Sequence, residues 1–171
     1  MKNLINVKTQ FSLFGASKKI LLSIVLLTTF ASINATETVE FNPEKFVQDY
    51  FKAWTATQRP AATKEDIEHY LSFLTDDVGH QHYPYDQDAE RHSENKANMR
   101  EGMNYYLGAV TEYSGELLSH TYGHDVVVIK YKTTSKGIHP QTKKNISQNY
   151  VTLEVLEIED GKVSVIRKYS D

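Results

Sequence analysis

The sequence predicts an α+β domain in which helices pack on one face of a curved, mostly antiparallel sheet. Apolar residues recur at helical spacing in three segments before residue 110. After Val110 the period changes to alternation, and turns containing Gly and Asp separate runs rich in β-branched and aromatic residues. Three helices, a short strand after the second, and four long strands therefore follow one another, and helices leading into an antiparallel sheet make one α+β layer pair. No repeat, low-complexity tract or interdomain linker interrupts this order.

The first helix starts at Asn42-Pro-Glu-Lys45. Asn42 can cap it, Pro43 suits the first turn and Glu44 favours the positive end of the dipole. Phe46, Tyr50 and Trp54 make its apolar stripe, widened by Val47 and Phe51, and Arg59-Pro60 ends it. Thr63-Lys-Glu-Asp66 resembles a capping box with Asp in the place of Glu or Gln. Ile67, Tyr70, Leu71 and Leu74 form the second stripe, which reads the helix onward into Leu74-Thr-Asp-Asp-Val78.

Next comes the short strand His80-Gln-His-Tyr-Pro84, in which His80 and His82 face the same side. Residues 84–94 carry no period and read as a loop. The third helix places Met99, Met103, Tyr106, Leu107 and Val110 on one face. Strands are expected over 113–121, 126–135, 148–158 and 163–169. In the third of these, Val151, Leu153 and Val155 alternate with Tyr150, Thr152 and Glu154. Tyr122-Gly-His-Asp125 and Glu159-Asp-Gly-Lys162 suit tight turns, while 137–145 is a longer connection.

The first 35 residues hold four lysines, no acidic residue and the apolar run Ile20–Phe30 before Ala31-Ser-Ile-Asn-Ala35. These are the three parts of a secretory signal peptide, with cleavage expected after Ala35; the alternative is an uncleaved anchor. The domain organisation is thus a signal peptide over 1–35 and one domain over 36–171, with a periplasmic or secreted location. Without the leader, 15 basic residues face 22 acidic ones, a net charge of −7 with His neutral. The basic residues are scattered, so no nucleic-acid partner is expected. No stable membrane span is expected after cleavage, because the apolar run is shorter than the ~20 residues a span needs. The chain has no cysteine, which excludes disulfides and thiolate chemistry.

Val47-Gln-Asp-Tyr50-Phe-Lys-Ala-Trp54, Leu74-Thr-Asp-Asp-Val78, Met99-Arg-Glu-Gly-Met-Asn-Tyr-Tyr106 and the closing hairpin Ile158–Asp171 stand in a telling order and spacing. In both, the chain resembles the nuclear transport factor 2-like superfamily, and within it the SnoaL-like and ketosteroid-isomerase-like proteins. The resemblance implies a cone-shaped fold around a deep pocket, and commonly a homodimer through the sheet. Its members include isomerases, cyclases, dehydratases, epoxide hydrolases and proteins without catalysis, so fold alone does not choose among them. Position matching places Tyr50 at the oxyanion-hole tyrosine and His82 at the general-base carboxylate, a departure from the family pattern. Thr152 and Glu154 are the candidates for the second oxyanion-hole acid, although the hairpin length differs.

The catalytic reading is cofactor-independent proton transfer with His82 as base, Tyr50 as oxyanion donor and His80 assisting. Trp54, Tyr83, Tyr105, Tyr106, Tyr150 and Tyr169 are candidate ligand contacts, which favour a cyclic or aromatic organic ligand. His80-x-His82 with Asp76 or Asp77 and His120 or His124 matches no usual metal signature, so no metal is expected, and no cofactor. The same residues fit a non-catalytic binding or interaction module, or a structural dimer facing a partner protein, so the sequence leaves catalysis open.

Overall fold

The computed structural model describes residues 41–171, so the expected leader and its cleavage point lie outside the described residues. The element order is α1 (Pro43–Ala56), α2 (Lys64–Leu71), β1 (Leu74–Tyr83), α3 (Asn95–Tyr106), β2 (Val110–Gly123), β3 (Val126–Ile138), β4 (Asn145–Glu159) and β5 (Lys162–Ser170). None of the described helices is long and apolar enough to cross a membrane.

Local chemistry accounts for the helix starts. The Asn42 side chain accepts from the Lys45 amide at 3.0 Å, with proline following the cap. At Thr63 both halves of the capping box are present. Thr63 Oγ1 accepts from the Asp66 amide at 3.2 Å, and Asp66 Oδ2 accepts from the Thr63 amide at 2.9 Å. An aspartate therefore closes the box as a glutamate would.

The first helix ends at Ala56, before Arg59-Pro60, and the strands run longer than the sequence reading, β1 most of all in proportion; two further differences move residues between elements. The second helix stops at Leu71 with Ser72 as its cap, and Asp76-Asp77 sit inside β1 rather than at a helix end. Leu74 and Val78 are both fully buried, and a spacing of four satisfies a strand as well as a helix. Val110 likewise belongs to β2 and not to the third helix, because Gly108 with φ 79° turns the chain first.

The sheet runs β1-β5-β4-β3-β2, with β1 parallel to β5 and every other pair antiparallel. This is the α+β arrangement expected, with the helices on its concave face. The two tight hairpins fall where the turn residues stand: Asp125 (φ 54°) in one, Asp160 (φ 50°) and Gly161 (φ 75°) in the other.

On β4 the alternation is real, and the face carrying Tyr150, Thr152 and Glu154 is the inner one. It continues into Leu156 and Ile158, which pack with Ile129, Tyr131 and Ile166 against Phe46, Val47 and Tyr50 of α1 and Ile67, Tyr70 and Leu71 of α2. Val151, Leu153 and Val155 lie on the outer face, where Leu153 remains exposed. No residue of α3 is fully buried, but Met99 and Met103 rest against the core, so this helix flanks an interior space.

Candidate functional site

The parallel pairing of β1 with β5 sets the inner wall. His80 lies opposite Ile166 and His82 opposite Lys168, so both imidazoles share the concave face, with ring centroids 6.3 Å apart. Burial pushes the His80 imidazole below its ordinary value. The charges of Lys168 and His82 add to that, and Glu154 acts against it. His82 is lowered as well, first by burial and then by Lys168. Both rings are therefore neutral at pH 7, each with one nitrogen able to accept a proton.

The two histidines open onto two adjoining cavities. The larger, of about 770 Å³, takes His80 and Val78 from β1, Met99, Met103 and Tyr106 from α3, and the loop residues Asp86, Asp88, Glu90 and His92. The smaller, of about 240 Å³, takes His82, Trp54, Tyr85, Tyr113, Tyr150 and Lys168. Gln58, Ser135 and Gln148 line both, so the spaces share a polar partition.

Beneath them lies a buried acid. Glu154, only 3 % exposed, accepts from Tyr50 Oη at 2.8 Å through one oxygen and from Tyr131 Oη at 2.6 Å through the other. The Tyr70 hydroxyl stands 3.3 Å from that of Tyr50 and extends the network. Burial, and then the Glu154 charge, raise all three phenols above their ordinary range, so they remain protonated donors.

The structure thus brings His80 and His82 side by side but commits the Tyr50 hydroxyl to Glu154, and Tyr50 lines neither cavity. Of the expected ligand contacts, Tyr106 lines the larger cavity, and Trp54 and Tyr150 the smaller. Tyr83, Tyr105 and Tyr169 are exposed and line neither; Tyr83 and Tyr169 lie opposite each other on the outer face. Thr152 is buried against Ser170, its hydroxyl 3.0 Å from that of Ser170, on the wall of the smaller cavity.

The acidic pair of β1 acts as a tether. Lys96 reaches Asp76 at 3.0 Å and Arg91 reaches Asp77 at 2.8 Å, which holds both carboxyls below their usual range. Arg91 also contacts Glu159 at 2.7 Å, so the cavity loop is fastened to two strands.

The histidines of the weighed metal set are not gathered. His120 pairs with Glu44 at 2.7 Å and His124 with Asp125 in the β2–β3 turn. Among the described residues one group has ligand-like spacing, the exposed Asp88, Glu90 and His92 on the cavity rim. Exposed acidic clusters of this kind are common, and nothing further there points to an ion.

Sequence reasoning missed Lys168, Tyr131, Gln58 and Gln148. Tyr131 was reachable, because a tyrosine two residues beyond Ile129 on an alternating strand shares its face. The glutamines come from a helix end and a distant strand, and no local pattern joins them.

No protein-family model matches the sequence, and neither does any curated protein. Solved structures do. An assigned SnoaL-like polyketide cyclase from Shewanella putrefaciens CN-32 aligns at TM-score 0.56 and 14 % identity, over 74 % of this chain and 90 % of that one. A cystatin-fold protein from Novosphingobium aromaticivorans aligns at 0.55 and 15 %, over 73 % and 95 %. A protein with a ketosteroid-isomerase-like fold from Catenulispora acidiphila, solved with trimethylamine, aligns at 0.51 and 9 %, over 75 % and 86 %. At these identities the likeness is one of fold, and the fold is the nuclear transport factor 2-like cone.

Proposed function

We propose that this chain, with its nuclear transport factor 2-like cone, binds a small organic molecule in the space between α3 and the concave sheet. The observation that carries this reading is the cavity of about 770 Å³ walled by Met99, Met103, Val78 and Tyr106 with the His80 imidazole among them. A cavity of that size, with an apolar wall on one side and hydrogen-bonding groups such as Gln58, Asn98 and Gln148 on the other, suits a small-molecule site. Cyclic and polycyclic organic molecules should raise the melting temperature, since selective binding to the folded state stabilises it. A cavity-filling Met103→Trp variant should abolish the shift. A panel without any shift in the native protein would overturn the reading.

The adjacency of two neutral imidazoles favours a second reading, cofactor-independent proton transfer with His82 or His80 as base. Tyr50 enters it as a residue that positions Glu154. Here His82→Ala should lose turnover while melting as the native protein does. Turnover should also fall on acidification, but only below the ordinary imidazole range, because burial and Lys168 hold both rings' proton uptake down. Ligand recovered unchanged by mass spectrometry at every pH would leave binding alone, the non-catalytic alternative.

The outer sheet face supports a further proposal, a homodimer through the sheet. Leu153 and Tyr169 lie opposite each other there and stay exposed, beside half-buried Val151 and Val155. Leu153→Lys should halve the mass seen by sedimentation; a single-chain mass for the native protein would remove the proposal.

A further inference from the structure

The smaller cavity contains a charge that the reading above does not use. Lys168 sits on the inner face of β5, opposite both His82 and Glu154. Its ammonium lies 5.2 Å from the centroid of the Trp54 ring, within the range of a cation–π contact. The aromatic walls around it are Trp54, His82, Tyr85 and Tyr150, and the polar ones include Gln58, Gln148, Thr152 and Ser170.

Among the described residues no carboxylate lies within salt-bridge distance of Lys168, in contrast to Lys96, Arg91, Arg100 and Arg167. The acid opposite it, Glu154, has each of its oxygens occupied by a phenol. The ammonium therefore faces a confined aromatic space without a counter-ion of its own. The two neighbouring imidazoles do not compete for an anion as cations would, but each can still hydrogen-bond to one.

Resting on the reading that this chain binds a small organic molecule, we propose that the adjoining smaller cavity takes the charged end of a planar aromatic or cyclic anion, such as an aryl carboxylate, and that Lys168 holds that charge. The ring would stack among Trp54, Tyr85 and Tyr150 while its carboxylate replaces the missing counter-ion. A charge-assisted hydrogen bond in a partly desolvated site is stronger than a neutral one, which makes charge the main selector.

Matched pairs differing only in charge test this: benzoate with benzamide, and 1-naphthoate with 1-naphthamide, titrated calorimetrically against the native protein, Lys168→Met and Lys168→Arg. Lys168→Met keeps the apolar stem and removes the ammonium, and its melting curve reports whether it folds. The native protein should bind the carboxylates about tenfold more tightly than the amides, as expected for gaining an ionic partner. Lys168→Met should equalise them without weakening the amides, and Lys168→Arg should retain part of the preference. Equal binding of acid and amide by the native protein overturns the charge assignment and leaves the binding reading intact. A preference that persists in folded Lys168→Met overturns it too. Failure of every compound to bind overturns this proposal, while the binding reading stands or falls separately on the melting-temperature panel.

Discussion

Glu154→Ala should lower stability by about 3–5 kcal/mol, the largest effect expected of any single substitution in the polar interior. The change strips the acceptor from two buried phenols, Tyr50 and Tyr131. Each unsatisfied buried hydroxyl costs about 1–3 kcal/mol, and the truncated side chain adds a cavity. For a domain of this size the melting temperature should drop by about 10–20 °C. Glu154→Gln keeps one oxygen as acceptor and presents an amide donor that the other phenol oxygen can receive, so its cost should be much smaller. Glu154→Met fills the space but leaves both hydroxyls unpaired. Adding Tyr50→Phe and Tyr131→Phe to it should recover most of the loss, because the donors go with their acceptor and only the Tyr70 hydroxyl, 3.3 Å from that of Tyr50, loses a partner. The recovery is a coupling energy readable by a mutant cycle in urea. Simple addition of the three single costs would show that the network is not the cause.

Such a network shows where sequence reading reaches its limit. Asn42 and the Thr63–Asp66 box were legible because cap and partner lie three residues apart. The β4 alternation put Glu154 and Thr152 on one face, and the resemblance pointed to the same two residues. Which face turned inward depended on Leu156 and Ile158 having the same parity. Glu154 meets Tyr50 across 104 positions, a pairing that only sheet closure supplies. Asp76 and Asp77 were placed at a helix end because Leu74 and Val78 satisfy both periods, and the parallel pairing with β5 decided between them. Lys168 escaped for a different reason. A lysine in the last strand of a charged chain reads as solvated, and its neighbour Arg167 does lie on the outer face, bound to Glu157 at 2.9 Å. The histidine pair was visible as a pair; the partition that gives each ring its own cavity was not, since Gln58 and Gln148 come from unrelated segments.

The same substitution at two glycines should have opposite effects, and the difference reports on the wall of the larger cavity. A Cβ added at Gly79 in β1 would fall 2.3 Å from the backbone oxygen of Ala89. That loop is fastened beside β1 by reciprocal 2.8 Å hydrogen bonds between the backbones of His82 and Asp86, and by Arg91. It cannot yield as a flexible side chain would, so Gly79→Ala should cost about 1–3 kcal/mol, in the range of other overpacked sites. Faster amide exchange at His82 and Asp86 should accompany the loss as the loop is pushed off the strand edge. Because Asp86, Asp88, Glu90 and His92 reach the cavity from this loop, ligand affinity should fall with it. At Gly102 in α3 nothing lies within 4 Å of the added atom, and its backbone is helical. Gly102→Ala should therefore gain about 0.5–1 kcal/mol by lowering the entropy lost on folding. Gains at both positions would mean that backbone propensity governs both and that the Ala89 carbonyl gives way. A large loss at Gly79 alone, with exchange confined to the loop, would identify the Ala89 carbonyl as the contact that keeps the cavity wall closed.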